Sequence, residues 1–192
     1  TTMTLMNDGD ILWRSSTLTD DALISPFSID HLQPCSYDVT LDKGVIGFKS
    51  HFGGMVNSLI PEHNDDSTYE KEFIEEEKGY ILQPHEFVLG STVENVNLPS
   101  NIAARFEGKS SLGRIGLMTH ITAGFIDPGF HGQITLEIFN VNTQPIVLRP
   151  GMLIGQLCFF KLDEPCARPY GSKGLTSHYQ GQTGVTESSI YA

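Results

Sequence analysis

The sequence predicts an all-β protein, a sandwich or a barrel, on three observations. Short apolar runs alternate with period two, the 19 glycines and 10 prolines fall largely between those runs, and helix signals are few. The 192 residues suffice for one domain, or at most two small ones, and can bury a substantial core without disulfides.

In chain order, the segment after Asp8 (Asp10, Ile11, Leu12, Trp13) fits a short capped helix. Ser36 to Leu41 alternates as a strand, as do Tyr80-Ile81-Leu82 and Phe87-Val88-Leu89. Ile134-Thr135-Leu136-Glu137-Ile138-Phe139 gives the clearest strand. Pro145 to Leu148 precedes an Arg149-Pro150-Gly151 turn, and Ile154 to Leu162 makes a last apolar strand. Residues 50–78 read as a long surface excursion. Its acids, Glu62, Asp65, Asp66, Glu70, Glu72, Glu75, Glu76 and Glu77, fit a solvated loop and strand edge, with no chemistry assigned to them. From Gly171 onward the chain is rich in Gly, Ser, Thr and Gln and reads as a mobile tail.

Composition narrows the function classes. Twelve Lys and Arg against 23 Asp and Glu give a net charge of −11, which argues against broad nucleic-acid binding or an anionic membrane surface. No run approaches the ~20 apolar residues that span a bilayer, and the N-terminal TTMTLMNDGD has no basic and apolar signal pattern. Cys35, Cys158 and Cys166 form neither a disulfide framework nor a CxxC zinc knuckle, and a reducing cytoplasm fits best. Cys158, inside Leu157-Cys158-Phe159-Phe160, is expected in the core.

Four constellations could carry chemistry. Glu107 to Arg114 places Lys109 and Arg114, with Arg105 nearby, beside two hydroxyls and two glycines. This suits a phosphate-binding loop or a polar turn, although the spacing is not that of a Walker A loop. Thr122 to Phe130 contains Asp127-Pro128-Gly129, a tight turn that could also present a carboxylate and an aromatic ring to a ligand. Glu137 shares a strand face with Thr135 and Phe139, opposite Ile134, Leu136 and Ile138. Such a carboxylate either faces water or is used, and burial would raise its pKa toward proton-transfer range. Arg168-Pro169-Tyr170 and His178-Tyr179-Gln180-Gly181-Gln182 could fold over a ligand as a lid, or stay disordered. There is no HxE with PCxxC, no GxSxG and no HExxH, and the seven histidines are scattered, so zinc is not expected.

Together these segments resemble the dCTP deaminase family, a branch of the dUTPase superfamily. The resemblance covers roughly residues 8–48 and 79–192. It rests on GKSSLGRIGL at 108–117, THITAGFIDPGFHGQITLEI at 119–138, LRPGMLIGQL at 148–157, Gln33 to Val39, and the RPYG and SHYQGQTG segments. Thr122-Ala123-Gly124-Phe125 resembles the bifunctional, dUMP-forming members, where deaminase-only enzymes carry Thr-Ala-His-Arg.

The resemblance implies a distorted β-barrel or jelly-roll-like fold with a few short helices, in a homotrimer with active sites at subunit interfaces. Residues 1–170 would form the β domain and 171–192 a flexible lid. By position, Glu137 matches the catalytic carboxylate. Lys109, Ser110, Ser111, Leu112, Gly113 and Arg114 match the phosphate loop, and Asp127 the deoxyribose contact. Phe130 matches the aromatic under the sugar, while Thr135, Leu136 and Glu137 match the pyrimidine pocket. Gln156, Tyr170, His178 and Gln182 match contacts near the phosphates and the closing tail, and Gly124 and Phe125 the determinants of bifunctionality. The implied reaction takes dCTP to dUMP, ammonia and diphosphate, with Mg²⁺ carried on the triphosphate and no protein metal ligand or zinc. The implied setting is the cytoplasm, of a bacterium or of a phage's host. dCTP and dUTP are the implied substrates, dTTP a feedback inhibitor, with neither nucleic acid nor membrane as partner. The alternatives are a deaminase releasing dUTP, a dUTPase, and a nucleotide-binding regulator. Two departures stand out: His178 replaces the usual lysine, which would weaken phosphate attraction near pH 7, and residues 50–78 carry no matching motif.

Overall fold

The computed structural model describes residues 3–16, 21–48 and 69–188. The architecture is mainly β. Strand β1 spans Met3–Leu5, and helix α1 spans Asp8–Ser15. The Asn7 side chain caps α1 by accepting from the Asp10 N–H at 2.9 Å, with acids in the first turn and Arg14 in the last, as the helix dipole favours. Then follow β2 (Ile24–Ser25), a 3-10 turn at Ile29–His31, β3 (Leu32–Gln33), β4 (Ser36–Thr40), β5 (Gly44–Phe48), β6 (Tyr69–Phe73), β7 (Tyr80–Leu82) and β8 (Phe87–Asn97). The second half holds β9 (Ile102–Gly108), a short helix α2 (Ser110–Gly113), β10 (Leu117–Thr119), β11 (Phe125–Ile126), β12 (His131–Asn140), β13 (Ile146–Leu148) and β14 (Leu153–Leu162).

Two six-stranded antiparallel sheets result. One runs β11-β9-β14-β4-β3 with β1 also on β14, and the other runs β10-β12-β8-β5-β6 with β2 also on β8. β7 and β13 form a separate pair. The inward residues of both sheets share one buried cluster. Tyr37, Val39, Phe106, Leu157 and Phe159 come from the first sheet, and Val88, Val96, Leu136 and Ile138 from the second. Burial of such side chains contributes about 1.5–3 kcal/mol each.

The predicted helix and strands are present, and β8 and β12 are longer than their apolar signals. One expectation changes. Cys158 is half-buried, on the same side of β14 as Gln156, whereas Leu157 and Phe159 point inward. Burial pushes its thiol pKa up, Glu107 and Cys35 add to this, and Arg105 opposes it. Residues 69–73 of the excursion form β6, paired with β5 from Gly44↔Phe73 to Phe48↔Tyr69. Glu62, Asp65 and Asp66 lie outside the described residues.

Candidate active site

β12 carries the centre of the site. Leu136 and Ile138 are fully buried toward the core, which turns Thr135 and Glu137 to the opposite face. Glu137 lies across from Leu89 of β8. A register irregularity between Gln133 and Thr135 interrupts the alternation, so Ile134 lines the cavity beside Thr135.

The Glu137 carboxylate is half-buried and held by Thr122. The Thr122 N–H donates to Oε2 at 2.9 Å, and the Thr122 hydroxyl lies 3.0 Å from Oε2 and 3.2 Å from Oε1. The His120 N–H donates to the Glu137 carbonyl at 2.7 Å, which anchors this loop to β12. His120 adopts φ 63, packs edge-on to Phe106, and lines the same cavity.

That cavity has a volume of about 460 Å³. It joins Glu137 to Thr135, Asp127, Phe130, Tyr170 and Gln182, with an apolar wall from Phe48, Phe87, Leu89 and Ile126. This mixture of apolar wall and few polar groups is typical of a small-molecule site. Phe130 meets Tyr170 edge-to-face at 5.7 Å. The Tyr170 hydroxyl accepts from the Tyr179 N–H at 3.0 Å. The Asp127 turn closes with Phe130 N–H donating to the Asp127 carbonyl at 3.2 Å.

The tail completes the wall. Gln182 bridges to Gly132 in parallel, its carbonyl accepts from the Gln133 N–H at 3.1 Å, and its Nε2 donates to the Gln133 carbonyl at 2.6 Å. Gly132 has φ +135, and a Cβ there would stand 2.8 Å from the Gln182 carbonyl oxygen, so a side chain would push the tail away. The Thr186 hydroxyl reaches the Thr135 hydroxyl at 3.1 Å and donates to Gln182 Oε1 at 2.8 Å.

Other expected residues lie elsewhere. Lys109, Ser110, Ser111, Leu112, Gly113, Arg114 and Gln156 do not line this cavity. Ser110 to Gly113 form α2 rather than an open turn. Lys109 Nζ is 2.7 Å from Asp38 Oδ2, and Gln156 Oε1 accepts from the Ser36 hydroxyl at 2.9 Å. Arg105 pairs with Glu107 at 2.6 Å. Two of the three clustered cations are therefore ion-paired within the chain, and the exposed Arg114 stands beside the serines. Leu136 has its side chain in the core, so its main chain alone could meet a ligand. His178 lines a neighbouring cavity of about 430 Å³ with Lys71 and Tyr179. Gly124 pairs with β9 through its carbonyl, which accepts from the Phe106 N–H at 2.8 Å, while exposed Phe125 edges the Glu137 cavity.

Thr122, Asp38 and the apolar wall carried no individual signal in the sequence. Among the described residues no three His, Cys, Asp or Glu side chains converge as a metal site. No described helix is long and apolar enough to cross a membrane.

The model of the dCTP deaminase-like family matches residues 10–162. The chain belongs to that family. A Bifidobacterium longum relative, named dCTP deaminase, dUMP-forming, is 50% identical over 97% of this chain and 94% of its own length. A Corynebacterium glutamicum relative of the same name is 47% identical over 97% of this chain and 96% of its own. The crystal structure of the 2′-deoxycytidine 5′-triphosphate deaminase from Agrobacterium tumefaciens superposes with a TM-score of 0.63 at 24% identity. That match covers 84% of this chain and 49% of the Agrobacterium chain, and the two share a fold.

Proposed function

We propose that this chain hydrolyses dCTP to dUMP, ammonia and diphosphate, consuming two waters. The observation that carries this reading is the Glu137 carboxylate, fixed by Thr122 at the wall of an aromatic-lined cavity. The name shared by relatives about half identical over nearly the whole chain supports it.

In the first step Glu137 takes a proton from the water that adds to cytosine C4, N3 is protonated in the tetrahedral adduct, and the remaining hydroxyl proton passes through Glu137 to the amino nitrogen, so that the C4–N bond breaks, ammonia leaves and C4 becomes a carbonyl. Thr122 holds the carboxylate in one orientation for both transfers. Phe130 lies under the deoxyribose, and Asp127 and Tyr170 flank it. In the second step water cleaves between the α- and β-phosphates, and Asp127 is the candidate base. Magnesium carried on the triphosphate would offset its charge, and Ser110, Ser111 and Arg114 would bind the phosphate oxygens.

Within one chain the Lys109–Arg114 loop does not line the Glu137 cavity. A triphosphate that reaches both therefore implies a site shared between copies, with the Lys109–Arg114 loop of one chain facing the Glu137 cavity of another in a homotrimer. Residues 1–170 act as the β domain and 171–192 as the lid, whose described part already packs on β12.

The test is incubation with dCTP and Mg²⁺, following ammonia, dUTP, dUMP and diphosphate together. Equimolar ammonia, dUMP and diphosphate are expected. Accumulated dUTP would reduce the activity to deamination, and no ammonia would reject the reading.

A further inference from the structure

We infer that Asp38 is a positioning residue for Lys109, and through it for the loop that receives the triphosphate; this rests on the dCTP reading above. Asp38 is 4% exposed, with its Oδ2 2.7 Å from Lys109 Nζ and a long contact from Gln33 Nε2 at 3.4 Å. Its Oδ1 has no hydrogen-bond partner among the described residues. A carboxylate so buried is tolerated because its counter-ion is in place, so the pairing works in both directions.

The sheet explains the reach. Gln156 of β14 lies opposite both Glu107 of β9 and Asp38 of β4. Lys109 follows the last residue of β9, and its side chain therefore crosses β14 to meet Asp38. The Lys109 carbonyl accepts from the Leu112 and Gly113 N–H groups at 3.0 and 2.9 Å. Fixing Lys109 thus fixes the start of α2, where Ser110, Ser111 and Arg114 stand. A lysine ammonium has three donors, so Asp38 leaves two free for phosphate oxygens. The tether converts a flexible side chain into a placed cation.

A double-mutant cycle with an independent chemical readout tests this. Asp38→Asn should raise the KM for dCTP about tenfold, the size of one lost charge-assisted bond, with kcat within about twofold. In a Lys109→Met background the same change should add less than about twofold. In nucleotide-free protein, reductive methylation of Lys109 read by mass spectrometry should be several-fold faster in Asp38→Asn than in wild type. An equal KM cost in both backgrounds, or an unchanged methylation rate, overturns the inference. If Asp38→Asn does not fold, Asp38→Glu enters the same cycle: a KM cost that vanishes with Lys109→Met supports the tether, and one that persists rejects it. If wild type turns over no dCTP, the functional reading fails, and the methylation arm still decides whether Asp38 holds Lys109.

Discussion

Thr122 holds both carboxylate oxygens of Glu137, through its N–H at 2.9 Å and its hydroxyl at 3.0 and 3.2 Å. One residue from the loop after β10 thereby sets the orientation of an acid on β12. Thr122→Val keeps the shape and the N–H but removes the hydroxyl. Because Thr122 is exposed, stability should hardly change. Hydrogen bonds to charged groups contribute about 1.5–3 kcal/mol, so ammonia release should slow about tenfold or more with little change in KM. Unchanged kcat would mean that the bond does not orient the acid for reaction.

Glu137→Gln tests the acid itself. The amide keeps the size of the side chain in a half-buried position, so the thermal midpoint should stay within a few degrees. It cannot take a proton from water, and ammonia release should fall by about 10²–10⁴, the usual contribution of a positioned base. Calorimetry should still find dCTP binding. Ammonia at the wild-type rate would remove Glu137 from the mechanism.

How much of this was legible depends on what each segment had to signal. β12 was readable because one of its faces is wholly buried, which forces alternation from Leu136 to Asn140. β9 was not, because Ile102-Ala103-Ala104-Arg105-Phe106 buries three consecutive residues before its outer face emerges. β1, β2, β3 and β11 are two or three residues long and exist through tertiary pairing, which no local pattern reports. In the site, Glu137, Asp127, Phe130, Thr135, Tyr170 and Gln182 meet around one cavity. The Lys109 loop does not line that cavity within one chain, and its lysine pairs instead with the buried Asp38. Thr122 and Asp38 act through their neighbours, and that kind of role leaves no residue-type signature.

Gly124 and Phe125 should control where the reaction stops. A Cβ on Gly124 would stand 3.0 Å from the Phe106 carbonyl oxygen, tighter than an ordinary contact. Replacing the pair with His and Arg must therefore shift the Thr122–Phe125 segment off β9, and Thr122 carries Glu137 with it. The double variant should release dUTP in place of much of its dUMP while still producing ammonia. Chromatographic separation of the two nucleotides gives the ratio, and an unaltered ratio would exclude a role for this pair in retaining dUTP.

An ion pair joins the excursion to the tail, Lys71 Nζ to Glu187 Oε1 at 2.8 Å, and Glu187 lines the Glu137 cavity. Lys71 is 65% exposed, so the pair is worth no more than about 1 kcal/mol and is weakened by salt. If β6 steadies the lid, Lys71→Glu should raise the KM for dCTP about two- to fivefold at low ionic strength, and 0.5 M salt (about a 4 Å screening length) should shrink the difference. Hydrogen exchange across residues 179–188 should quicken in the same variant. The swap Lys71→Glu with Glu187→Lys restores the attraction with reversed sign, so both KM and exchange should return toward wild type. A swap no better than either single change would show that the two residues act separately, and the tail would then be held by its hydrogen bonds to Gly129, His131, Gln133, Thr135 and Tyr170.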